Sequence, residues 1–313
     1  MENASRQIDL TIVMVTWNTL ALTSNALNSI RAMTTGIEYE VILFDNGSTR
    51  DDTATEIPAR FPWVHFQAVG SNRGFAYPNN RGMEMARGRY VVLLNSDTIQ
   101  VENALGKAVA YMDGHAEVGA LGIMHLNNDA VHSIQPSYHR FPDPWDEILN
   151  HLALRRTPAP PSIWAAPPAE ANVDWIVGSF LLIRRSCLDD VGLLDERFFL
   201  YDEDVDWCKR ARAEGWNIRF WPGARMIHVG NGAMRWMKDK TFMHYRSHLT
   251  YLAKHHSRLV AAGFYLALSL RLSASTLWQG VRLLVGRGSI DELRIRYRRQ
   301  IGFWRLNSSR SGV

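Results

Sequence analysis

"LTIVMVTWNTLALTSNALNSIRAMTTGIEYEVILFDN", residues 10–46, decides the fold. An apolar run of strand length, "LTIVMVTW", gives way to the helix-compatible "LALTSNALNSIRAM" and then to a second apolar run, "YEVILFDN". Two more runs follow, "WVHFQAV" and "RYVVLLNSD", with the helix-compatible "YPNNRGMEMARG" between them. Strand alternating with helix predicts an α/β fold built on a single, mostly parallel central sheet with flanking helices. Such sheets bind ligands beyond the carboxyl ends of their strands. The polar residues at those ends are therefore site candidates by position: Thr16, Trp17 and Asn18; Asp45, Asn46, Gly47 and Ser48; Asn95, Ser96 and Asp97.

Downstream, "VGALGIMHL" is a fifth strand candidate, preceded by a helix beginning near Val101. Regularity falls away over residues 127–173, where Pro158, Pro160, Pro161, Pro167 and Pro168 mark a long loop. "DWIVGSFLLIRRSCLDDVGLLDERFFL" then supplies another strand and a short helix, and "NIRFWPGARMIHVG" a last strand ending at His228. The sequence contains no internal repeat. At 313 residues the chain can bury a large core. Cys187 and Cys208 have neither a CxxC nor a metal-binding spacing, which suits a reducing compartment. The apolar run near the amino terminus is too short for a signal peptide, so a cytoplasmic location is expected.

Charge divides the chain into residues 1–232, the main domain, and 233–313, a tail. Of the formal net charge of +4, residues 231–313 contribute 15 Lys+Arg against 3 acids, or +12, which leaves −8 for residues 1–230. In the tail, Arg258, Arg271 and Arg282 interrupt the apolar runs before they reach the roughly 20 residues of a spanning helix. On a helix, Arg271, Ser275, Gln279 and Arg282 form one polar stripe, with Leu270, Leu272, Leu277, Trp278, Leu283 and Leu284 over much of the rest. The arginine-rich "ELRIRYRRQIGFWR" follows. A basic, Trp-bearing amphipathic helix fits an anionic membrane surface on the inner face of the cytoplasmic membrane. Packing on the domain or in a homo-oligomer contact is the alternative use of the same tail.

Several residues carry candidate chemistry. Asp97, just past a buried strand, could hold Mg²⁺ or Mn²⁺ against substrate phosphates, or could serve as a turn or N-cap aspartate. Asp45 in "DNGST" has a turn reading too, and a functional one as acceptor for the imide N–H of a uracil or thymine ring. Gly74 in "GSNRGFAYPNNRG" offers close backbone approach to a ligand, with Asn79 and Asn80 on the helix start behind it. His228 is either a satisfied histidine or a metal ligand alongside Asp97. The absence of GxGxxG and GxxxxGK[ST] argues against nicotinamide dinucleotide and P-loop chemistry, and no feature calls for a nucleic acid.

"FFLYDEDVDWCKRARAEGW", residues 198–216, crowds Asp202, Glu203, Asp204 and Asp206 together. Like-charged neighbours and partial burial raise a carboxyl pKa, which suits a general base at neutral pH. Asp206 stands four residues before Arg210, the spacing of a helical ion pair. An acid-rich helix start explains the other three equally well at this level.

Taken in order, "TWN", "DNGST", "NRGFAYPNNRG", "LNSDT", "GSFLLIRR", "FFLYDEDVDWCKR" and "HVGNG" resemble glycosyltransferase family 2, particularly its bacterial rhamnosyltransferase-like branch with a GT-A fold. The resemblance covers roughly residues 9–232. It implies inverting, metal-dependent transfer of a sugar, L-rhamnose from dTDP-rhamnose or another sugar from a UDP-sugar, onto a polyprenyl-linked saccharide of the cell envelope. By the same resemblance Thr16, Asn18 and Asp45 frame the nucleoside, and Asn46, Gly74 and Asn79 line the donor site. Asn95, Ser96 and Asp97 match an Asp-x-Asp-type segment in which only Asp97 keeps a carboxylate, and His228 completes the metal shell. Asp204 takes the base position, with Glu203 as tuning neighbour and rival base. A sugar nucleotidyltransferase would want a Gly-rich basic loop that "TWNTLALTS" is not. A non-catalytic carbohydrate-binding protein would need neither a metal ligand nor a base.

Overall fold

The structure, a computed structural model, describes residues 7–155, 163–230, 232, 236 and 240–308. In chain order the strands are β1 (Leu10–Thr16), β2 (Tyr39–Asp45), β3 (His65–Ala68), β4 (Tyr90–Asn95), β5 (Thr98–Gln100), β6 (Val118–Leu126), β7 (Ile134–Gln135), β8 (Tyr138–His139), β9 (Ala171–Asn172), β10 (Trp175–Ile176), β11 (Phe180–Arg184) and β12 (Asn217–His228). The helices are α1 (Leu20–Met33), α2 (Thr53–Arg60), α3 (Ala76–Met85), α4 (Ala104–Asp113), α5 (Pro144–His151), α6 (Arg185–Val191), α7 (Glu203–Ala213), α8 (Lys240–His255), α9 (Arg258–Leu284) and α10 (Ile290–Ser308).

The main sheet runs β3-β2-β1-β4-β11-β6-β12-β5, with β7 added to β6 and β9 to β12. The pairs β1/β2, β1/β4, β2/β3 and β6/β12 are parallel, whereas β11 lies antiparallel between β4 and β6. The expected mixed sheet with flanking helices is thus present. Its central strands are apolar on both faces because both are covered. Leu10, Ile12 and Met14 pack with α1 and α4, while Val13, Val91 and Leu93 face a second cluster that includes Trp207 of α7.

Two local features depart from the sequence reading. A short strand, β5, pairs antiparallel with the end of β12, so that Thr98 faces His228 in register. The helix expected from Val101 therefore starts later, at Ala104, where the Asn103 side chain accepts from the Gly106 N–H. The second feature lies in the irregular region, where α5 begins with Asp143 accepting from the Trp145 and Asp146 amides.

By contacts the chain forms two compact units. The first holds the sheet with α1–α4, α6 and α7, and the second holds α5 with α8, α9 and α10. The helical tail therefore includes a helix from the middle of the chain. Within this second unit, the Arg271 guanidinium meets His151 Nδ1 of α5 at 3.1 Å, and Gln300 Nε2 donates to Ser273 Oγ at 2.9 Å. Ser275 pairs with Arg296 and Gln279 with Glu292, both on α10. The polar stripe read from the sequence is thus largely turned toward neighbouring helices.

Candidate active site

Strand order reverses around β1: the chain proceeds outward to β2 and β3, then returns on the other side to β4. A crevice opens at the carboxyl ends of strands where such a reversal occurs. The turns after β1, β2 and β4 meet there. Asn18 has a left-handed backbone (φ 54°), and its Oδ1 accepts from the Thr49 and Arg50 amides at 2.8 and 2.9 Å. Its buried Nδ2 has no hydrogen-bond partner among the described residues. Asp45 is buried and accepts from the Ser48 N–H and hydroxyl, so the turn role is real. Burial nevertheless pushes its carboxyl above the ordinary range, with the Ser48 bonds opposing.

Other donor-site candidates act through the framework. The Thr16 hydroxyl is 3.0 Å from that of Thr19 and 2.7 Å from that of Thr23, in a buried hydroxyl cluster anchoring α1 to β1. Asn46 donates to the Asn72 side chain and to the Gly74 carbonyl, and it accepts from the Arg73 amide. It shapes the 72–74 loop. Asn79 donates to the Phe75 carbonyl one turn earlier. The close approach made at Gly74 is to the protein itself: with φ 81°, a Cβ there would collide with the Phe199 carbonyl. The Phe75 amide donates to that same carbonyl at 2.7 Å, tying the loop to the acidic segment.

At the other end of the crevice, Asp97 and His228 meet. Asp97 Oδ1 is 3.4 Å from His228 Nε2, and Asn95 Nδ2 is also 3.4 Å from that nitrogen. The Val229 amide donates to the Asp97 carbonyl, and Ser96 lies buried with its hydroxyl 3.5 Å from Thr19. Burial works to raise the Asp97 carboxyl, but the hydrogen bond and charge of His228 outweigh it and hold the group below its usual range. Among the described residues no cluster of three or more His, Cys, Asp and Glu exists. One carboxylate and one imidazole on a common point form a donor set for a cation whose remaining sites are filled by substrate phosphate and water. That set fits Mn²⁺ or Mg²⁺.

The third part is the start of α7. Tyr201 (φ 72°) and Asp202 (φ 62°) are consecutive non-glycine residues with left-handed backbones, a costly arrangement of the kind found at functional sites. The turn sets Glu203 and Asp204 in the first helical turn in different surroundings. Glu203 is buried, its Oε2 has no hydrogen-bond partner among the described residues, and burial followed by the Asp204 charge pushes its pKa well above normal. Asp204 is half-buried; its Oδ2 accepts from the Gly178 amide at 2.8 Å and its Oδ1 from the Val205 amide at 2.9 Å. Burial raises Asp204 to about 6, opposed by the Gly178 N–H, with the Asp202 charge adding to the rise.

Burial is the largest influence on both carboxyls, with the Asp202 charge adding to the rise at Asp204 and the Asp204 charge adding to that at Glu203. Asp206 is fully buried and pairs with Arg210 at 3.0 Å, the structural role that its spacing predicts. Arg210 also donates to the Val191 and Leu193 carbonyls. Phe198 is core, while Phe75 borders Gly178 next to the Asp204 carboxylate. Gly178, whose amide holds Asp204, had no role assigned from sequence; its place in "GSFLLIRR" was the only signal.

A mixed sheet that carries a half-buried carboxylate near pKa 6 beside Gly178, just before β11, and an Asp–His pair at the ends of β4 and β12 agrees with the comparisons to known proteins. The family described as Glycosyltransferase like family 2 matches residues 7–261. The chain belongs to glycosyltransferase family 2. This glycosyltransferase is 30% identical over 280 residues to the N-acetylglucosaminyl-diphospho-decaprenol L-rhamnosyltransferase of Mycobacterium tuberculosis, covering 79% of this chain and 85% of the relative. It is 29% identical over 196 residues to rhamnosyltransferase WbbL of Escherichia coli, covering 59% of this chain and 72% of WbbL. In fold it resembles a mannosyltransferase from Pyrobaculum calidifontis solved with GDP-Man and Mn²⁺, with a TM-score of 0.54 at 15% identity, covering 97% of this chain and 87% of that one.

Proposed function

We propose that this glycosyltransferase moves L-rhamnose from dTDP-rhamnose, with inversion, onto a polyprenyl-diphosphate saccharide at the inner face of the cytoplasmic membrane. The observation that carries the chemistry is the contrast between Asp204, half-buried with a pKa raised to about 6, and its neighbour Glu203, fully buried and pushed well above the ordinary carboxyl range. A base with that pKa is ionised at pH 7 and still basic enough to accept a proton in the transition state. Asp204 takes the proton of the acceptor hydroxyl while that oxygen bonds to the anomeric carbon and the nucleoside diphosphate departs from the opposite side. The Gly178 N–H holds the carboxylate in place throughout.

Asp97 and His228 would hold a divalent cation; when bound, it neutralises charge gathering on the leaving diphosphate. Asn18 Nδ2, without a partner among the described residues, and the Asp45 carboxylate, at the carboxyl ends of β1 and β2, suit the carbonyl and imide N–H of a thymine or uracil ring. Support for the sugar and for a lipid-linked acceptor comes from the name of the M. tuberculosis relative, which states both.

Membrane association is supported by the second unit. α9 is 27 residues long and is the one described helix long and apolar enough to cross a membrane, by length and composition. With its polar side chains turned toward α5 and α10, it leaves Leu259, Leu266, Leu270, Leu277, Trp278 and Leu284 exposed. Purified protein given dTDP-rhamnose, UDP-sugars and a polyprenyl-diphosphate N-acetylglucosamine acceptor, with Mn²⁺, Mg²⁺ or chelator, tests the reading. Turnover of dTDP-rhamnose that chelator abolishes is expected. Turnover of UDP-sugars alone would overturn the donor assignment.

A further inference from the structure

His228 can ligate through Nε2 only if its proton sits on Nδ1, and the site by itself does not ensure this. Asp97 Oδ1, 3.4 Å from Nε2, would accept a proton carried there and close the Asp–His pair on itself. The opposing influence lies on the far side of the ring. His228 Nδ1 is 2.7 Å from Gln135 Oε1, the shortest contact the ring makes among those described.

The identity of that atom as the amide oxygen follows from the rest of the network. Gln135 Nε2 donates to Asn127 Oδ1 at 3.0 Å, Asn127 Nδ2 donates to Ser133 Oγ at 2.9 Å, and the Ser133 hydroxyl donates to the Asp129 carboxylate. An ionised carboxylate only accepts, so Asp129 fixes the sense of every bond in the chain. The Ser133 amide also donates to Asp129 Oδ1 at 2.9 Å, and these two Ser133 bonds hold the Asp129 carboxyl below the usual range. Each donor points away from the crevice, and the last acceptor, Gln135 Oε1, demands a proton on His228 Nδ1. The neighbouring ring of His125 stands edge-on at 5.9 Å and pairs with Ser179, so it does not compete for Nδ1.

We propose that Gln135 is a positioning residue that fixes the Nδ1–H tautomer of His228, at the inner end of a one-way hydrogen-bond chain from Asp129 through Ser133 and Asn127. The hairpin that carries these residues, β6 turning into β7, thereby serves the metal end of the crevice. This inference rests on the reading of Asp97 and His228 as the cation site. Removing the Gln135 acceptor frees His228 to move its proton to Nε2, pair with Asp97 and lose its ligand lone pair.

The test uses the full chain at pH 8, with two readouts. In metal-free protein labelled with ¹⁵N in histidine, the His228 resonances, assigned by their loss in His228→Asn, should report the Nδ1–H tautomer. They should shift toward Nε2–H in Gln135→Leu. In Mn²⁺ titrations followed by electron paramagnetic resonance, Gln135→Leu should weaken binding roughly 10- to 100-fold, the usual effect of losing an outer-shell partner. Gln135→Glu, which keeps an acceptor oxygen, should restore both the tautomer and the affinity. An Nε2–H tautomer in the unmodified protein, or a Gln135→Leu protein with unchanged tautomer or unchanged Mn²⁺ affinity, would overturn the proposal. Unmodified protein that takes up no Mn²⁺ would sink the cation reading instead, while the tautomer spectra would still judge Gln135.

Discussion

Asp204 and Glu203 are adjacent carboxyls on one helical turn, and what separates them is environment. Asp204 is half-buried and has two backbone N–H donors; Glu203 is buried, with no partner for Oε2 among the described residues. Asp204→Asn should abolish transfer while nucleotide binding persists, since nothing at the donor end is touched. It should also stabilise the protein. A carboxyl at about 6 in the folded state, against 3.8 ordinarily, keeps its proton longer when folded, so stability is lost as pH rises through that window and remains lost above it. Asparagine removes the cost, worth about 1–2 kcal/mol at pH 7 after allowance for partial exposure, readable as a higher Tm at pH 7 that vanishes near pH 4. Initial rates across pH separate the neighbours. Transfer should rise with a limb near 6, Asp202→Asn should move that limb roughly half a unit lower, and Glu203→Gln should leave it in place with activity within about tenfold. Asparagine suits the left-handed backbone at 202, so the first substitution adds no strain. The acid cluster was legible as a unit in the sequence, and the family resemblance pointed to Asp204 as base. Which charge acts on which carboxyl depends on burial and on the turn at Tyr201 and Asp202, and no spacing rule encodes either.

Among elements, the strands and the helices between them could be read because their apolar runs match a buried sheet, and "VGALGIMHL" coincides with β6 residue for residue. The elements missed were short or set by distant partners. β5 has three residues and exists because β12 offers an edge; β7 has two and exists because β6 does. That is why Gln135 could not be singled out beforehand. Gly74 shows the same limit differently: its glycine was noticed, but its neighbour, Phe199, lies 125 positions later in the chain. The loop before α3 and the segment before α7 are joined there by the Phe75 N–H bond to the Phe199 carbonyl. Gly74→Ala should therefore break more than a local turn, combining a left-handed backbone with a clash against rigid main chain. The expected loss is about 2–4 kcal/mol, with activity falling more than stability because the base-bearing segment moves. Chemical denaturation and rates on the same sample check it; Gly74→Ala protein with unchanged Tm and rate would contradict the contact.

For the whole molecule, the sequence signalled that an acidic body is followed by a basic tail, but the side chains facing outward on that tail follow from helix pairing. Arg271, Ser275 and Gln279 form one polar stripe in the sequence, and each meets a partner on α5 or α10. The residues left outside, spaced three and four apart from Leu259 to Leu284, form an apolar band along a helix about 40 Å long. Polar groups paired inward and leucines outward suit the membrane association proposed above, in which the band would meet hydrocarbon. Burying a few such leucines in acyl chains is worth about 1.5–3 kcal/mol each, enough to dominate attachment. Leu266→Ser, Leu270→Ser and Leu277→Ser combined should therefore release the protein from vesicles containing anionic lipid, measured by co-flotation. The release should be far larger than that caused by raising the salt, because salt screens only the arginine contribution. Transfer to a short-chain, water-soluble acceptor should persist, since these positions belong to the helical unit and Asp204, Asp97 and His228 to the other. If the triple variant floats as well as the unmodified chain, or if moderate salt alone detaches the unmodified chain, the arginines carry the attachment and the band covers something other than lipid.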